Sequence, residues 1–155
     1  MAIEIPVPGS AHLRLTRLLL DVNGTLSDRG RLIDGVAARV VDLRRHLDIT
    51  LLTADTYGTL PDIIDALGGV TAHRVSTGDE KLAHLRRSGA SESAAVGNGA
   101  NDEAMLREAG LGIAVLGPEG AAPQTVRAAD IVCGSISAAL DLLTESAAIA
   151  ATVRH

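Results

Sequence analysis

The sequence predicts an α/β protein with a three-layer, doubly wound parallel sheet, formed by a single domain over residues 1–155. Short apolar runs typical of buried strands alternate with segments of about ten residues whose apolar positions have helical spacing. This alternation indicates right-handed βαβ units with helices on both faces of the sheet. A chain of 155 residues fits one domain, and no linker, repeat or low-complexity tract divides it.

The N-terminal part predicts a β-hairpin and then the first core strand. Residues 3–7 and 12–16 alternate apolar and polar positions around Pro8-Gly9, which indicates a short hairpin over residues 1–16. The apolar run 17–22 is the first core strand. Residues 24–33, with Gly30 near their middle, are typical of a loop or small β-flap.

The rest of the chain continues the alternation. Further strands are predicted over residues 49–52, 70–75, 94–96, 112–116 and 130–133. Helices are predicted over residues 34–46, 59–67, 79–87, 101–109, 121–128 and 137–152. Asp34 is the expected N-cap of the first helix, and the last helix is expected to be continuous. Pro61 in a first turn and Gly68-Gly69 after a last turn support the second helix.

Composition narrows the functional class. The formal charge is −5, and Lys and Arg form only short pairs, so we expect no nucleic-acid binding. No apolar run reaches the ~20 residues of a membrane span, and residues 1–10 lack the pattern of a signal peptide, so a cytoplasmic protein without membrane contact is expected. Cys133 is the only cysteine, which excludes an intrachain disulfide.

The chemistry is predicted to centre on Asp21-Val22-Asn23-Gly24-Thr25, which directly follows the apolar run Leu18-Leu19-Leu20. An aspartate at the carboxyl end of a buried strand lies where open α/β sheets place their ligands. Gly24 lets the backbone turn directly after it. Asp21 is therefore a candidate nucleophile.

Three other polar segments are predicted at the same edge of the sheet or at a helix start. They are Thr53-Ala54-Asp55, Lys81, and Gly97-Asn98-Gly99-Ala100-Asn101-Asp102. A hydroxyl and backbone N–H groups bind phosphoryl oxygens, and a lysine offsets their charge. The carboxylates Asp21 and Asp102 are the oxygen ligands that Mg2+ prefers.

With these motifs the sequence resembles the haloacid dehalogenase-like (HAD) phosphohydrolases. Within that superfamily it is similar to the phosphorylation domain of P-type ATPases and to small soluble P-type-ATPase-like proteins. The resemblance covers residues 17–132 and implies a Rossmann-like, HAD-type sheet. It also implies that Asp21 attacks phosphorus and becomes an aspartyl phosphate.

The same resemblance implies roles for the other residues. Thr53, the backbone of Ala54, and Lys81 are implied to bind the phosphoryl group, and Asn101 to orient the loop around it. The implied Mg2+ ligands are Asp21, the carbonyl of Asn23, the side chain at Asn98, and Asp102, directly or through water.

Two residues depart from the family pattern. Hydrolases of this family usually have Asp at position 23, which acts as a general acid and then as a general base. Such catalysis raises the rate by roughly 10²–10⁴-fold, and Asn23 can act neither as an acid nor as a base. They also usually have a metal-binding Asp at position 98, where the neutral Asn98 should weaken Mg2+ binding. The sequence thus predicts a slow Mg2+-dependent phosphohydrolase or phosphotransferase, or alternatively a weakened or inactive phosphate- or partner-binding regulatory protein.

The motif spacing leaves no room for an inserted cap domain. Only 31 residues separate Asp21 from Thr53, so the site is expected to be open and the substrate, a phosphorylated compound, is not specified by the sequence. In capless relatives a macromolecular substrate or a second subunit covers the site. A homo-oligomer is therefore the expected assembly.

Overall fold

The computed structural model describes all 155 residues. It has ten strands: β1 (Ile3–Ile5), β2 (Leu13–Leu15), β3 (Arg17–Asp21), β4 (Ser27–Asp28), β5 (Arg31–Leu32), β6 (Asp48–Thr53), β7 (Thr71–Arg74), β8 (Ser93–Gly97), β9 (Leu111–Val115) and β10 (Ile131–Cys133). Its seven α-helices are α1 (Val36–Leu43), α2 (Leu60–Ala66), α3 (Gly78–Ser88), α4 (Glu103–Glu108), α5 (Pro123–Ala128), α6 (Ile136–Leu142) and α7 (Ser146–Val153).

Six strands form the central sheet in the order β10-β9-β8-β3-β6-β7, and every neighbouring pair is parallel. From β3 the chain first builds outward through β6 and β7, and then crosses to the other side to add β8, β9 and β10. The direction of winding therefore changes between β3 and β8, which is where open α/β sheets bind ligands. The predicted doubly wound fold is confirmed, as is the antiparallel N-terminal hairpin of β1 and β2.

Apolar side chains cover both faces of this sheet. Successive residues of β3 point to opposite faces: Leu18 and Leu20 join the larger core cluster, whereas Leu19 joins the smaller one. The larger cluster also takes buried residues from α1, α2, α6 and α7, and the smaller one from α3 and α4. These layers hold the carboxyl ends of the strands in fixed positions.

Two helix predictions need correction. Asp34 does not cap the first helix. The N-cap position of α1 is Gly35, which has a φ of 85°, and no side chain caps the first turn by a hydrogen bond. The predicted continuous helix over residues 137–152 is instead two helices, α6 and α7, at an angle of 102°. The break allows α7 to pack against β1. No single helix is long and apolar enough to cross a membrane, although this bent pair meets that criterion by length and composition.

Candidate phosphoryl-transfer site

Asp21 lies at the carboxyl end of β3 and is 6% exposed. Both of its carboxylate oxygens have partners: Lys81 Nζ donates to Oδ1 at 2.7 Å, and Thr25 Oγ1 donates to Oδ2 at 2.7 Å. Since β3 is the central strand next to the point where the winding changes direction, the predicted nucleophile stands at the ligand-binding position of the sheet.

Lys81 reaches Asp21 from the first turns of α3. Thr77 caps this helix by accepting a hydrogen bond from the Glu80 backbone N–H at 3.2 Å, and Glu80 accepts one from the Ser76 backbone N–H at 3.3 Å. These two hydrogen bonds fix where α3 begins. As a result the Lys81 side chain, only 1% exposed, points to the carboxyl edge of the sheet.

Asp102 lies beneath the site and is fully buried. Its Oδ1 accepts from Lys81 Nζ at 2.8 Å, and its Oδ2 accepts from the backbone N–H groups of Asn98 and Gly99, both at 3.0 Å. Gly97 makes room for this carboxyl group, because a Cβ there would overlap it. Both Asp102 oxygens are thus occupied, and the residue positions Lys81 and the loop after β8.

Asn98 and Thr25 form the other side of the site. Thr25 is fully buried and its hydroxyl lies 3.2 Å from Asn98 Oδ1 as well as 2.7 Å from Asp21 Oδ2. Asn98 is 6% exposed. The hydroxyl therefore brings the oxygens of Asp21 and Asn98 together at the surface of the site.

The buried charges are unequal, since one lysine faces two carboxylates. Burial, and then the negative charge of Asp102, raise the pKa of Asp21 to about 6. Burial alone would lower the pKa of the Lys81 amine, but the charges of Asp21 and Asp102 outweigh it and raise that pKa. Lys81 therefore stays charged, and the cluster has one carboxylate in excess.

The residues present fit Mg2+. Asp21 and Asn98 offer hard oxygen atoms, which are the ligands of this cation. The surplus carboxylate that raises the pKa of Asp21 is the charge that a divalent cation neutralises. Asn98 is better placed than Asp102 for direct ligation, because Asn98 is 6% exposed at the site whereas Asp102 is fully buried.

Thr53 ends β6, the strand beside β3, with Leu52 in register with Asp21. Its side chain is buried, and Oγ1 accepts a hydrogen bond from the Asp55 backbone N–H at 2.9 Å. The hydroxyl hydrogen is left to donate to a ligand. Ala54 follows at an exposed position of the same turn. Asp55 itself is structural: it accepts from the backbone N–H of Leu60 at 3.1 Å and pairs with Arg74 at 3.2 Å.

The two remaining predicted site residues lie at the edge of this cluster. The Asn23 side chain donates to Thr56 Oγ1 at 3.3 Å, so its amide joins the loop after β3 to the loop after β6. Asn101 is exposed in a 3-10 turn before α4, and no hydrogen bond joins its side chain to Asp21, Thr53 or Lys81.

Sequence reasoning missed two residues near the site. Thr25 belongs to the motif Asp21-Val22-Asn23-Gly24-Thr25, but its contact with both Asp21 and Asn98 depends on the direction of a buried hydroxyl. Glu119 lies in the loop after β9, with its carboxylate against Gly24. The rule that polar residues after strand ends line the site would have selected it.

The predicted flap consists of β4 and β5 and contacts the loop after β6. The Gly30 carbonyl at the tip of the flap accepts a hydrogen bond from Thr59 Oγ1 at 2.8 Å. Tyr57, the only aromatic residue, packs so closely on Gly30 that a Cβ there would lie 2.7 Å from the tyrosine Cβ. The flap thus borders the site at the side of Asn23 and Thr56.

Comparison with known sequences identifies relatives over part of the chain. Residues 76–138, less than half of it, match the sequence profile of a family described as haloacid dehalogenase-like hydrolase. An uncharacterized protein of Methanocaldococcus jannaschii is 50% identical over 60 residues, which are 39% of this chain and 64% of that protein. The chain thus spans less than two thirds of the length of that relative.

Solved structures share the fold over most of the chain. A putative hydrolase of subfamily III A of the HAD superfamily from Legionella pneumophila has a TM-score of 0.68 and 21% identity, and the match covers 90% of this chain and 87% of that one. A second match is a 3-deoxy-D-manno-octulosonate 8-phosphate phosphatase from Moraxella catarrhalis, solved in complex with magnesium, phosphate and KDO. It has a TM-score of 0.66 and 20% identity, and the match covers 85% of this chain and 87% of that one. These matches confirm the fold that the motifs predicted.

Proposed function

We propose that this haloacid dehalogenase-like protein is a Mg2+-dependent phosphatase that forms an aspartyl phosphate on Asp21 and turns over slowly. The observation that carries the proposal is the buried cluster at the end of β3, in which Lys81 bridges Asp21 and Asp102 at 2.7 and 2.8 Å. The magnesium and phosphate found with the Moraxella catarrhalis phosphatase agree with this ligand chemistry.

The first step is an attack by Asp21. A carboxylate oxygen forms a bond to phosphorus, while the bond from phosphorus to the leaving oxygen breaks and that oxygen keeps the electron pair. Thr53 donates its hydroxyl hydrogen to a phosphoryl oxygen, and Lys81 offsets the negative charge. Asp21, Asn98 and the Asn23 carbonyl would hold Mg2+, which would further neutralise the charge of the phosphoryl oxygens.

The second step regenerates Asp21. A water oxygen bonds to phosphorus and the water loses a proton to bulk solvent, while the bond to the Asp21 oxygen breaks, Asp21 keeps the electron pair, and phosphate is released. Asn23 has no acidic proton for the leaving oxygen in the first step and accepts none from water in the second. We therefore expect phosphates with good leaving groups, such as acyl and aryl phosphates, to react, and the phosphoenzyme to hydrolyse slowly.

Intact-mass spectrometry tests the proposal. The protein is incubated with acetyl phosphate and Mg2+, and we expect one added phosphoryl group in the wild type and none in Asp21→Asn. Asn23→Asp should speed release of phosphate by up to roughly 10²–10⁴-fold, the usual contribution of a general acid and base. Gln124→Glu is the control, because it adds the same charge in α5, where the side chain forms no hydrogen bond to the cluster.

The second candidate function is a phosphate-binding regulatory protein. One observation favours it: the Asn23 amide is used to join two loops through Thr56. If beryllium fluoride with Mg2+ raises the unfolding temperature but acetyl phosphate labels neither the wild type nor Asn23→Asp, the protein binds phosphate without transferring it. That result would exclude the phosphatase.

A further inference from the structure

The loop after β9, residues 116–122, is fixed against the site by Asn98. The Asn98 backbone carbonyl accepts a hydrogen bond from the Ala122 N–H at 2.8 Å, and its side-chain Nδ2 donates to the Gly120 carbonyl at 3.1 Å. Within the loop, the Gly120 N–H donates to the Gly117 carbonyl at 3.0 Å. Asn98 thereby holds a tight turn whose tip includes Glu119.

This turn places the Glu119 carboxylate over Gly24. The φ of Gly24 is +76°, and a Cβ at this residue would overlap the Glu119 carboxylate and lie 2.7 Å from Asn98 Nδ2. The carboxylate and the Asn98 amide are therefore neighbours. They meet at the residue that directly follows Asn23.

The same group of atoms continues to the nucleophile. Asn98 Oδ1 lies 3.2 Å from Thr25 Oγ1, and that hydroxyl lies 2.7 Å from Asp21 Oδ2. Glu119 is exposed, whereas Thr25, Asn98 and Asp21 are buried. Its carboxylate thus lies at the entrance of the site, on the side of Asn98.

The charge of Glu119 is not balanced within the chain. Its carboxylate forms no ion pair and no side-chain hydrogen bond, and Lys81, the cation of the site, is bound to Asp21 and Asp102. The Glu119 carboxylate is therefore free to bind a cation.

We propose that Glu119 contributes its carboxylate to the Mg2+ site of Asp21 and Asn98, and so replaces the negative charge that position 98 lacks. The inference rests on the proposed Mg2+-dependent function. Asn98 is then both an oxygen donor and a positioning residue. An aspartate at this position has no side-chain N–H for the Gly120 carbonyl and would remove one of the two hydrogen bonds that hold the turn with Glu119.

Calorimetric titration of Mg2+ into the substrate-free protein tests this assignment without any turnover. We expect Glu119→Gln to weaken Mg2+ binding roughly tenfold, because it removes one charge next to a divalent cation. Glu119→Asp, which keeps the charge on a shorter side chain, should lose less. Glu145→Gln is the control: Glu145 is exposed in the turn before α7 and forms no ion pair.

The outcomes separate this inference from the proposed function. Equal Mg2+ affinity in the wild type and Glu119→Gln overturns the role of Glu119, and the phosphatase proposal stands if acetyl phosphate still labels Asp21. A wild type that binds no Mg2+ overturns both. A loss of Mg2+ affinity in Glu119→Gln, with the affinity of Glu145→Gln equal to that of the wild type, supports the assignment.

Discussion

Replacing Asp21 by asparagine should stabilise the metal-free protein at neutral pH, although it removes the proposed nucleophile. The pKa of Asp21 is raised from 3.8 to about 6 in the folded state, mainly by burial and by the charge of Asp102. Between these two pH values the folded protein binds more protons at this residue than the unfolded chain. Stability therefore falls as the pH rises through this window, and it stays lower above pH 6.

The size of the effect follows from the shift. A difference of about two pKa units corresponds to about 3 kcal/mol at 1.36 kcal/mol per unit. Asparagine does not ionise, and its side chain can still accept a hydrogen bond from Thr25 or Lys81. Because pH 4 already lies above the unfolded pKa of 3.8, we expect the stability difference, variant minus wild type, to grow by about 2 kcal/mol between pH 4 and pH 7.

Urea unfolding followed by far-ultraviolet circular dichroism measures this difference, since a chain with no tryptophan and one tyrosine gives little fluorescence. Titrations at several pH values between 4 and 7.5 are compared with Asp65→Asn, an exposed carboxylate without an ion pair. Mg2+ should restore stability to the wild type at pH 7 and not to Asp21→Asn. A difference that does not change with pH would refute the excess of buried negative charge.

Two further substitutions test the cluster and the turn. Lys81→Met leaves Asp21 and Asp102 without their cation, so it should lower the free energy of unfolding in urea at pH 7 by roughly 3–5 kcal/mol. A decrease below about 1 kcal/mol would contradict the stabilising role of the Lys81 bridge. Gly24→Ala adds a Cβ that overlaps the Glu119 carboxylate at a φ of +76°, so it should lower the free energy of unfolding by roughly 1–3 kcal/mol and weaken Mg2+ binding in calorimetry. Unchanged Mg2+ affinity would argue that Glu119 does not act at this point.

The sequence predicted that Asp21 and Lys81 meet, because the positions of both residues are determined by the topology. Asp21 and Lys81 are 60 residues apart and still touch. The carboxyl ends of parallel strands share an edge, and a helix that follows such a strand begins at that edge. Apolar runs and glycine positions are enough to infer this arrangement.

The sequence could not predict features that depend on the direction of a side chain or on packing. The sequence predicts Asp102 in the metal site, directly or through water, but it does not show that the space at Gly97 and two backbone N–H groups orient this carboxylate beside Lys81. The residues between α6 and α7 include no glycine or proline, so the sequence gives no signal for the break between these helices. It arises because α7 packs against β1, a contact between the two ends of the chain.

The two asparagines that depart from the family pattern are not equivalent in this structure. The Asn23 amide donates to a threonine hydroxyl, which can rotate and donate to a carboxylate instead. The Asn98 amide donates to the Gly120 carbonyl, which can only accept. An aspartate is therefore compatible with the local hydrogen bonding at position 23, whereas at position 98 it would place two acceptors against each other, at a cost of roughly 1–3 kcal/mol. Stability thus gives no reason for the absence of an acid at position 23, and a faster Asn23→Asp variant would indicate that slow hydrolysis of the aspartyl phosphate belongs to the function.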